Sequence, residues 1–118
     1  MIELIYGSKE IDLKKISHEI GKVLGLEFKG HESVYKGIYY KATLGENEYQ
    51  VMDNELADYD DQPEENKEYS FQIETHKHCP SLIWIDLLSN NAKVLAKEIK
   101  SRISNSKINI EFISENEY

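Results

Sequence analysis

Residues 37–53, GIYYKATLGENEYQVMD, decide the fold, because they have the composition of two adjacent β-strands joined by a tight turn. Residues 37–44 and 48–53 are rich in Tyr, Ile, Val and Thr, which fit the pleated, half-buried surface of a sheet. The three residues 45–47 between them include a glycine, as short hairpin loops commonly do. This stretch therefore predicts an antiparallel hairpin that forms part of a larger sheet.

Two stretches with a helical period flank the hairpin. In 9–24 apolar residues recur from Ile11 onward at steps of three and four, with Ser8 as a possible N-cap and Gly25 as a left-handed C-terminal residue. Residues 90–104 carry a second apolar stripe opposite lysines and an arginine. The residues predicted to be buried, in these helices and in the strands, are Ile16, Ile20, Ile73, Ile83, Ile85, Leu95 and Ile99.

Shorter segments predict the remaining strands. Residues 1–6 alternate loosely, 26–28 could open a short strand broken at Gly30, and 69–76 alternate cleanly. The run 82–88 is nearly all apolar, as in a strand buried on both faces, and 107–113 alternates again before a tail, SENEY. The order β-α-β-meander-α-β predicts a single α+β domain over residues 1–118, a mostly antiparallel β-sheet with two helices packed on one face.

The negative charge of the chain is confined to one stretch. The sequence has 22 acidic and 14 basic residues, a net charge of −8. Residues 46–68 hold ten acids and one lysine, a net −9, so the rest of the chain is close to neutral. Such a concentration repels itself in a compact arrangement, which leaves two interpretations: a solvated loop at about 54–68, or a surface that attracts a cationic partner.

The acidic loop also contains Tyr59, which lies between two aspartates and has no evident role in a core. Tyrosine is favoured at binding surfaces because it combines a large rigid ring with a polar tip. We therefore predict that partner-binding residues lie in and beside this loop. They are Asp53, Glu55, Asp58, Tyr59, Asp60, Asp61, Glu64 and Glu65.

Composition disfavours several classes of function. An excess of acidic residues argues against direct nucleic acid binding, which relies on cations that neutralise phosphates. No apolar run approaches the roughly 20 residues that span a membrane. The opening residues lack the pattern of a secretory signal, and a single cysteine fits a reducing compartment, so we expect a cytoplasmic protein.

His76, His78 and Cys79 carry the side-chain chemistry that could bind a metal or attack a substrate. In a strand the two histidines would point to the same side, but a zinc site needs further ligands, and no CxxC or HExxH pattern supplies them. The cysteine has no recognisable base or oxyanion-binding motif around it. We therefore predict no cofactor, no metal and no catalytic residue, and keep a small enzyme or metal-binding protein that uses these three residues as an alternative.

The organisation of the chain resembles that of bacterial immunity proteins. A small acidic α+β domain concentrates carboxylates and tyrosines beside a hairpin, in the stretch MDNELADYDDQPEENKEY at 52–69. The resemblance, to the immunity proteins of contact-dependent inhibition and other polymorphic toxin systems, implies a non-catalytic inhibitor that binds a cognate toxin directly. A nuclease toxin presents a basic cleft that carboxylates can cover, with association accelerated by long-range attraction. A phage-type inhibitor or another accessory protein-binding module would use the same surface and is the alternative.

Overall fold

The computed structural model describes residues 1–33, 37–55 and 72–118. Within them, six strands form one antiparallel sheet and two helices cover it, which confirms the predicted α+β class. The sheet order is β2-β3-β4-β5-β1-β6. The elements are β1 (Ile2–Ser8), α1 (Leu13–Leu24), β2 (Lys29–Ser33), β3 (Gly37–Leu44), β4 (Asn47–Asp53), β5 (Ser81–Leu87), α2 (Ala92–Asn105) and β6 (Glu111–Glu117).

The hairpin predicted at 37–53 is confirmed as β3 and β4. Leu44 pairs with Asn47 across the turn, so the connection has two residues. Its first residue, Gly45, has a φ of 62°, a left-handed value that glycine adopts without steric cost. The outer strand of the hairpin continues the sheet to β2, and the inner strand pairs with β5, which places the hairpin on one side of the central strands.

The core lies between the sheet and the two helices, which pack on the same face. The alternation of side chains along β1, β4 and β5 places Leu4, Val51 and Ile85 on this face, all fully buried. The predicted core is largely confirmed. Buried are Ile16, Ile20, Ile83, Ile85 and Ile99, whereas Ile73 and Leu95 are partly buried against apolar neighbours.

Helix α1 begins at Leu13, four residues after the start of the helix predicted at 9–24. Asp12 is its N-cap, and its carboxylate accepts hydrogen bonds from the backbone of Lys14 and Lys15 at 3.1 and 3.2 Å. Ser8 stays in β1 instead, and Ile11 is 77% exposed. The end of the helix is as predicted, with Gly25 in the left-handed conformation. Neither α1 nor α2 is long and apolar enough to cross a membrane, and they are the α-helices of the described residues.

Three strand predictions need correction. Gly30 lies inside β2 rather than breaking a strand at 26–28, and a Cβ there would be 3.4 Å from the Tyr40 ring. The last strand is Glu111–Glu117 rather than 107–113, and it contains four of the five residues predicted as a tail. The apolar residues Ile108 and Ile110 of the predicted strand pack on the core before β6 begins. The strand itself is polar, as an edge strand can be, because one side of it faces solvent.

The strand predicted at 69–76 is wrong where the structure describes it. Residues 72–76 form no strand, and Glu74–His76 is a turn of 3-10 helix. Residues 69–71 lie outside the described residues. The alternating pattern failed here because the backbone groups of this segment bind a side chain, that of Asn54, instead of a neighbouring strand.

Candidate functional site

Asn54 fixes the point at which the acidic loop leaves and rejoins the fold. Its side chain is fully buried and accepts a hydrogen bond from the Ile73 N–H at 2.8 Å. The same amide donates to the carbonyls of His76 and Cys79, each at 3.0 Å. The Gln72 N–H donates to the Asn54 carbonyl at 2.8 Å, which closes the base of the loop. The described residues on either side of the acidic stretch, 54 and 72–73, are therefore held together at the end of β4.

Two of the eight residues predicted to bind a partner fall within the described residues. Asp53 is the last residue of β4 and pairs with Ser81, and Glu55 follows the buried Asn54. Partial burial, with the charge of Glu55, raises the pKa of Asp53, although its side chain still reaches solvent. The other predicted residues lie outside the described residues: Asp58, Tyr59, Asp60, Asp61, Glu64 and Glu65.

The sheet face opposite the helices, here called the outer face, carries three carboxylates in a row. Glu48 of β4 is the register partner of Asp86 in β5, and Asp86 is the partner of Glu3 in β1. All three are partly buried, and we call them the acid row. Like charges directly opposite each other in a sheet are destabilising, so this arrangement is not what stability alone favours.

The acid row is held in position by neighbouring polar groups. Lys41 forms an ion pair with Glu48 at 3.2 Å. The indole N–H of Trp84 donates to one oxygen of Glu3 at 3.1 Å, and the Asn116 amide donates to the other at 3.1 Å. These bonds from neutral donors fix both oxygens of the Glu3 carboxylate.

Trp84 occupies the middle of the outer face. It lies between Gln50 of β4 and Ile5 of β1 and packs against a second apolar cluster. Its ring is partly exposed, and Tyr39 lies at the margin of the same cluster. The outer face thus has an aromatic centre, which is typical of protein-binding surfaces, with carboxylates around it. The sequence pattern of each strand indicates which of its residues share a face. That Glu3, Glu48 and Asp86 lie side by side follows only from the register between the strands.

A second group of functional side chains surrounds Glu111 at the start of β6. His78 Nε2 donates to Glu111 Oε2 at 2.7 Å, and the thiol of Cys79 donates to the same oxygen at 3.4 Å. His76 Nε2 lies 3.8 Å from Glu111 Oε1, and the two imidazole rings are 5.4 Å apart. We call these four residues the His–Cys–Glu cluster.

The sequence prediction identified three members of this cluster but missed Glu111. The histidines lie on a turn rather than on a strand, and β6 reaches them because Glu111 pairs with Gly7 of β1. A Cβ on Gly7 would be 2.7 Å from the Cys79 sulfur, so the absent side chain leaves the space that the thiol occupies. Glu111 could have been identified only from the strand pairing, which places it opposite Gly7, the glycine that contacts Cys79.

The electrostatics of the cluster do not favour a nucleophilic cysteine. Burial raises the pKa of Cys79, and the hydrogen bond to Glu111 and the charge of Glu111 raise it further. The bond from His78 lowers the pKa of Glu111, and the bond from Cys79 adds to this. The thiol therefore donates to a carboxylate instead of passing its proton to a histidine, the opposite of an activated thiolate.

Comparisons with known proteins assign no function to these groups of residues. No protein-family model matches this sequence, and no curated protein matches it. What the acid row, the loop base and the His–Cys–Glu cluster can bind is therefore inferred from their own chemistry.

Proposed function

We propose that this protein is a non-catalytic cytoplasmic inhibitor that binds a basic protein, specifically an immunity protein that neutralises a bacterial nuclease toxin. The observation that carries the proposal is the charge distribution: residues 46–68 account for the whole net charge of the chain. A nuclease must present cations to phosphates, and a surface of fixed carboxylates is complementary to that cleft.

The described residues add two supports to this proposal. The residues that flank the acidic stretch, 54 and 72–73, are joined by the hydrogen bonds of the buried Asn54. The acid row places Glu48 on the outer face beside two carboxylates from outside the acidic stretch, Glu3 and Asp86, and near Trp84. An aromatic residue beside carboxylates offers both an anchor and long-range attraction to a cationic partner.

The test begins with the partner captured by the immobilised protein from its native host and then purified. Its nuclease activity is measured with and without the inhibitor, and association and dissociation rates are measured at two ionic strengths. Exposed charges act over about 8–10 Å at physiological salt, so the association rate of a steered complex should fall as salt is raised. A partner without nuclease activity, or one whose activity is unchanged in the complex, contradicts the toxin assignment.

Charge-reversal variants locate the interface. Replacing Asp58, Asp60 and Asp61 with lysine should slow association strongly, and Tyr59→Ala should mainly speed dissociation. The matched control is the triple variant Glu19→Lys, Glu27→Lys and Glu32→Lys, which changes the net charge equally at exposed positions outside the acidic stretch. If both triple variants bind alike, net charge alone governs association and the loop is not the interface.

Amide substitutions test the acid row separately. Glu3→Gln, Glu48→Gln and Asp86→Asn together remove three charges with little change in shape. We expect slower association with the partner. The melting temperature is the folding control, because the amides relieve repulsion between the strands but remove the Lys41 ion pair and one acceptor oxygen at residue 3. Wild-type association rates in this variant would remove the acid row from the interface.

A further inference from the structure

We propose that the His–Cys–Glu cluster binds one zinc ion, through Nε2 of His76 and His78, the sulfur of Cys79 and a carboxylate oxygen of Glu111. The sequence argument against a metal rested on missing ligands, and the structure supplies Glu111 from a strand more than 30 residues away. The donor atoms of His78, Cys79 and Glu111 all lie within 4.8 Å of one another.

Two separations between donor atoms can be compared with those around a tetrahedral zinc ion. Zinc bonds of about 2.3 Å to sulfur and 2.0 Å to oxygen, at a tetrahedral angle, place those two atoms about 3.5 Å apart. The sulfur of Cys79 and Oε2 of Glu111 are 3.4 Å apart. A nitrogen and an oxygen bound to the same ion are about 3.3 Å apart. His78 and Glu111 are at 2.7 Å, the distance of the hydrogen bond that the ion would replace, so a small rotation of two exposed side chains is sufficient.

His76, the fourth ligand that we propose, lies outside the group of three donors that are all within 4.8 Å of one another, and it is oriented by a neighbour. Its Nδ1 is 2.9 Å from the hydroxyl of Thr75, and its Nε2 faces Glu111 at 3.8 Å. When Nδ1 carries the proton and donates it to Thr75, Nε2 is left with the lone pair that a metal needs. Such a bond to the second ring nitrogen is the usual support of a metal-binding histidine.

The mixture of donor atoms selects zinc over harder cations. Calcium and magnesium prefer sites built from oxygen, whereas this cluster offers two imidazole nitrogens, one sulfur and one carboxylate. The sulfur is almost fully buried beside Gly7, and the histidines and Glu111 are partly exposed, so an ion can enter from solvent. Bound zinc would join the turn after the acidic loop to the edge strand β6.

Zinc chloride alone is the probe for the test. Untagged protein is stripped with a chelator, and zinc is titrated in competition with a chromophoric chelator. We expect one equivalent of zinc to bind. We expect His78→Ala and Glu111→Gln each to weaken binding by more than about tenfold, because loss of even a contact that supports a metal ligand lowers affinity by about 10–100-fold. Binding of less than one equivalent, or wild-type affinity in Glu111→Gln, would overturn the proposal.

Two controls separate the site from other histidines and acids. Glu115→Gln alters a neighbouring carboxylate of β6, and His18→Ala an exposed histidine of α1; both should bind zinc as the wild type does. The role of Cys79 as a ligand is tested with cobalt in place of zinc in the wild-type protein, because substitution of the buried cysteine could affect folding. A thiolate-to-cobalt charge-transfer band is expected in the near ultraviolet, and one equivalent of bound cobalt without that band would refute the proposed ligand set.

Discussion

Two buried asparagines with opposite hydrogen-bonding roles provide a matched test of the loop base. The side-chain oxygen of Asn47 accepts from the backbone N–H groups of Leu88 and Ser89, at 2.8 and 3.1 Å. Asn54 also accepts one bond, but its amide donates to two carbonyls at 3.0 Å. Substitution by aspartate preserves an acceptor and removes every donor. Asn54→Asp should therefore be severe and Asn47→Asp mild.

The expected difference follows from the groups left without a partner. In Asn54→Asp, the carbonyls of His76 and Cys79 lose the amide donor and face a carboxyl oxygen at a fully buried position. The His76 carbonyl keeps its hydrogen bond from the Cys79 N–H at 3.0 Å, so the main loss is at the Cys79 carbonyl. One unsatisfied buried group costs about 1–3 kcal/mol, and the repulsion adds to this, so the loss should be about 2–4 kcal/mol. Asn47→Asp keeps both acceptor bonds and puts negative charge near the start of α2, so we expect a change below about 1 kcal/mol.

Chemical denaturation at pH 7 in the presence of a chelator measures both variants without a metal contribution. At unchanged m-values, the Asn54→Asp midpoint should fall far below that of Asn47→Asp. Asn54→Ala should also destabilise, since it leaves the Ile73 N–H unpaired as well. Equal stabilities for the two aspartate variants would show that the donor bonds of Asn54 do not hold the loop base.

Three further substitutions test the core, the cysteine environment and the end of β4. Ile20→Ala should cost about 2–5 kcal/mol in denaturation, because Ile20 is fully buried between α1 and the sheet. Gly7→Ala should cost about 1–3 kcal/mol, since its Cβ would meet the Cys79 sulfur at 2.7 Å, whereas Gly30→Ala, with contacts no closer than 3.4 Å, should cost less; thermal melts compare them. Because the pKa of Asp53 is higher in the folded than in the unfolded state, its protonated form stabilises the fold below the unfolded-state pKa. That stabilisation is lost as pH rises through the folded-state pKa. Asp53→Asn should therefore match the wild type at pH 3 and exceed it at pH 7 by a few tenths of a kcal/mol, with equal stabilities at both pH values as the contrary result.

The sequence predicts those parts of the fold that depend on local pattern. The hairpin turn at Gly45, the end of α1 at Gly25 and the buried stripe containing Ile20 all follow from residue type and spacing. The failures occur where a distant group determines the local structure. Residues 72–76 alternate like a strand, but the buried amide of Asn54 binds their backbone, and nothing in the alternation reveals that contact.

The candidate sites divide in the same way. His76, His78 and Cys79 are adjacent in sequence and could be identified from it, whereas Glu111 joins them only through the pairing of β6 with β1. The acid row is likewise a product of register across three strands. Net charge predicts an acidic stretch, but it does not reveal the carboxylates contributed by β1 and β5, which belong to the nearly neutral remainder of the chain.

The spacing of the negative patches favours a macromolecular partner over a small cation. Glu48 in the acid row and Asp53 at the loop base are both in β4, five residues apart, or about 17 Å at the rise of an extended strand. That distance exceeds the Debye length of about 8 Å at physiological salt, so the two patches attract charge independently of each other. Strand alternation places Glu48 on the outer face with Trp84, and Asp53 on the side that faces the helices. A small polyamine or metal ion would engage one patch at a time, whereas a protein that also reaches the end of β4 can contact both. The positions of the two patches therefore fit the basic protein partner that we propose.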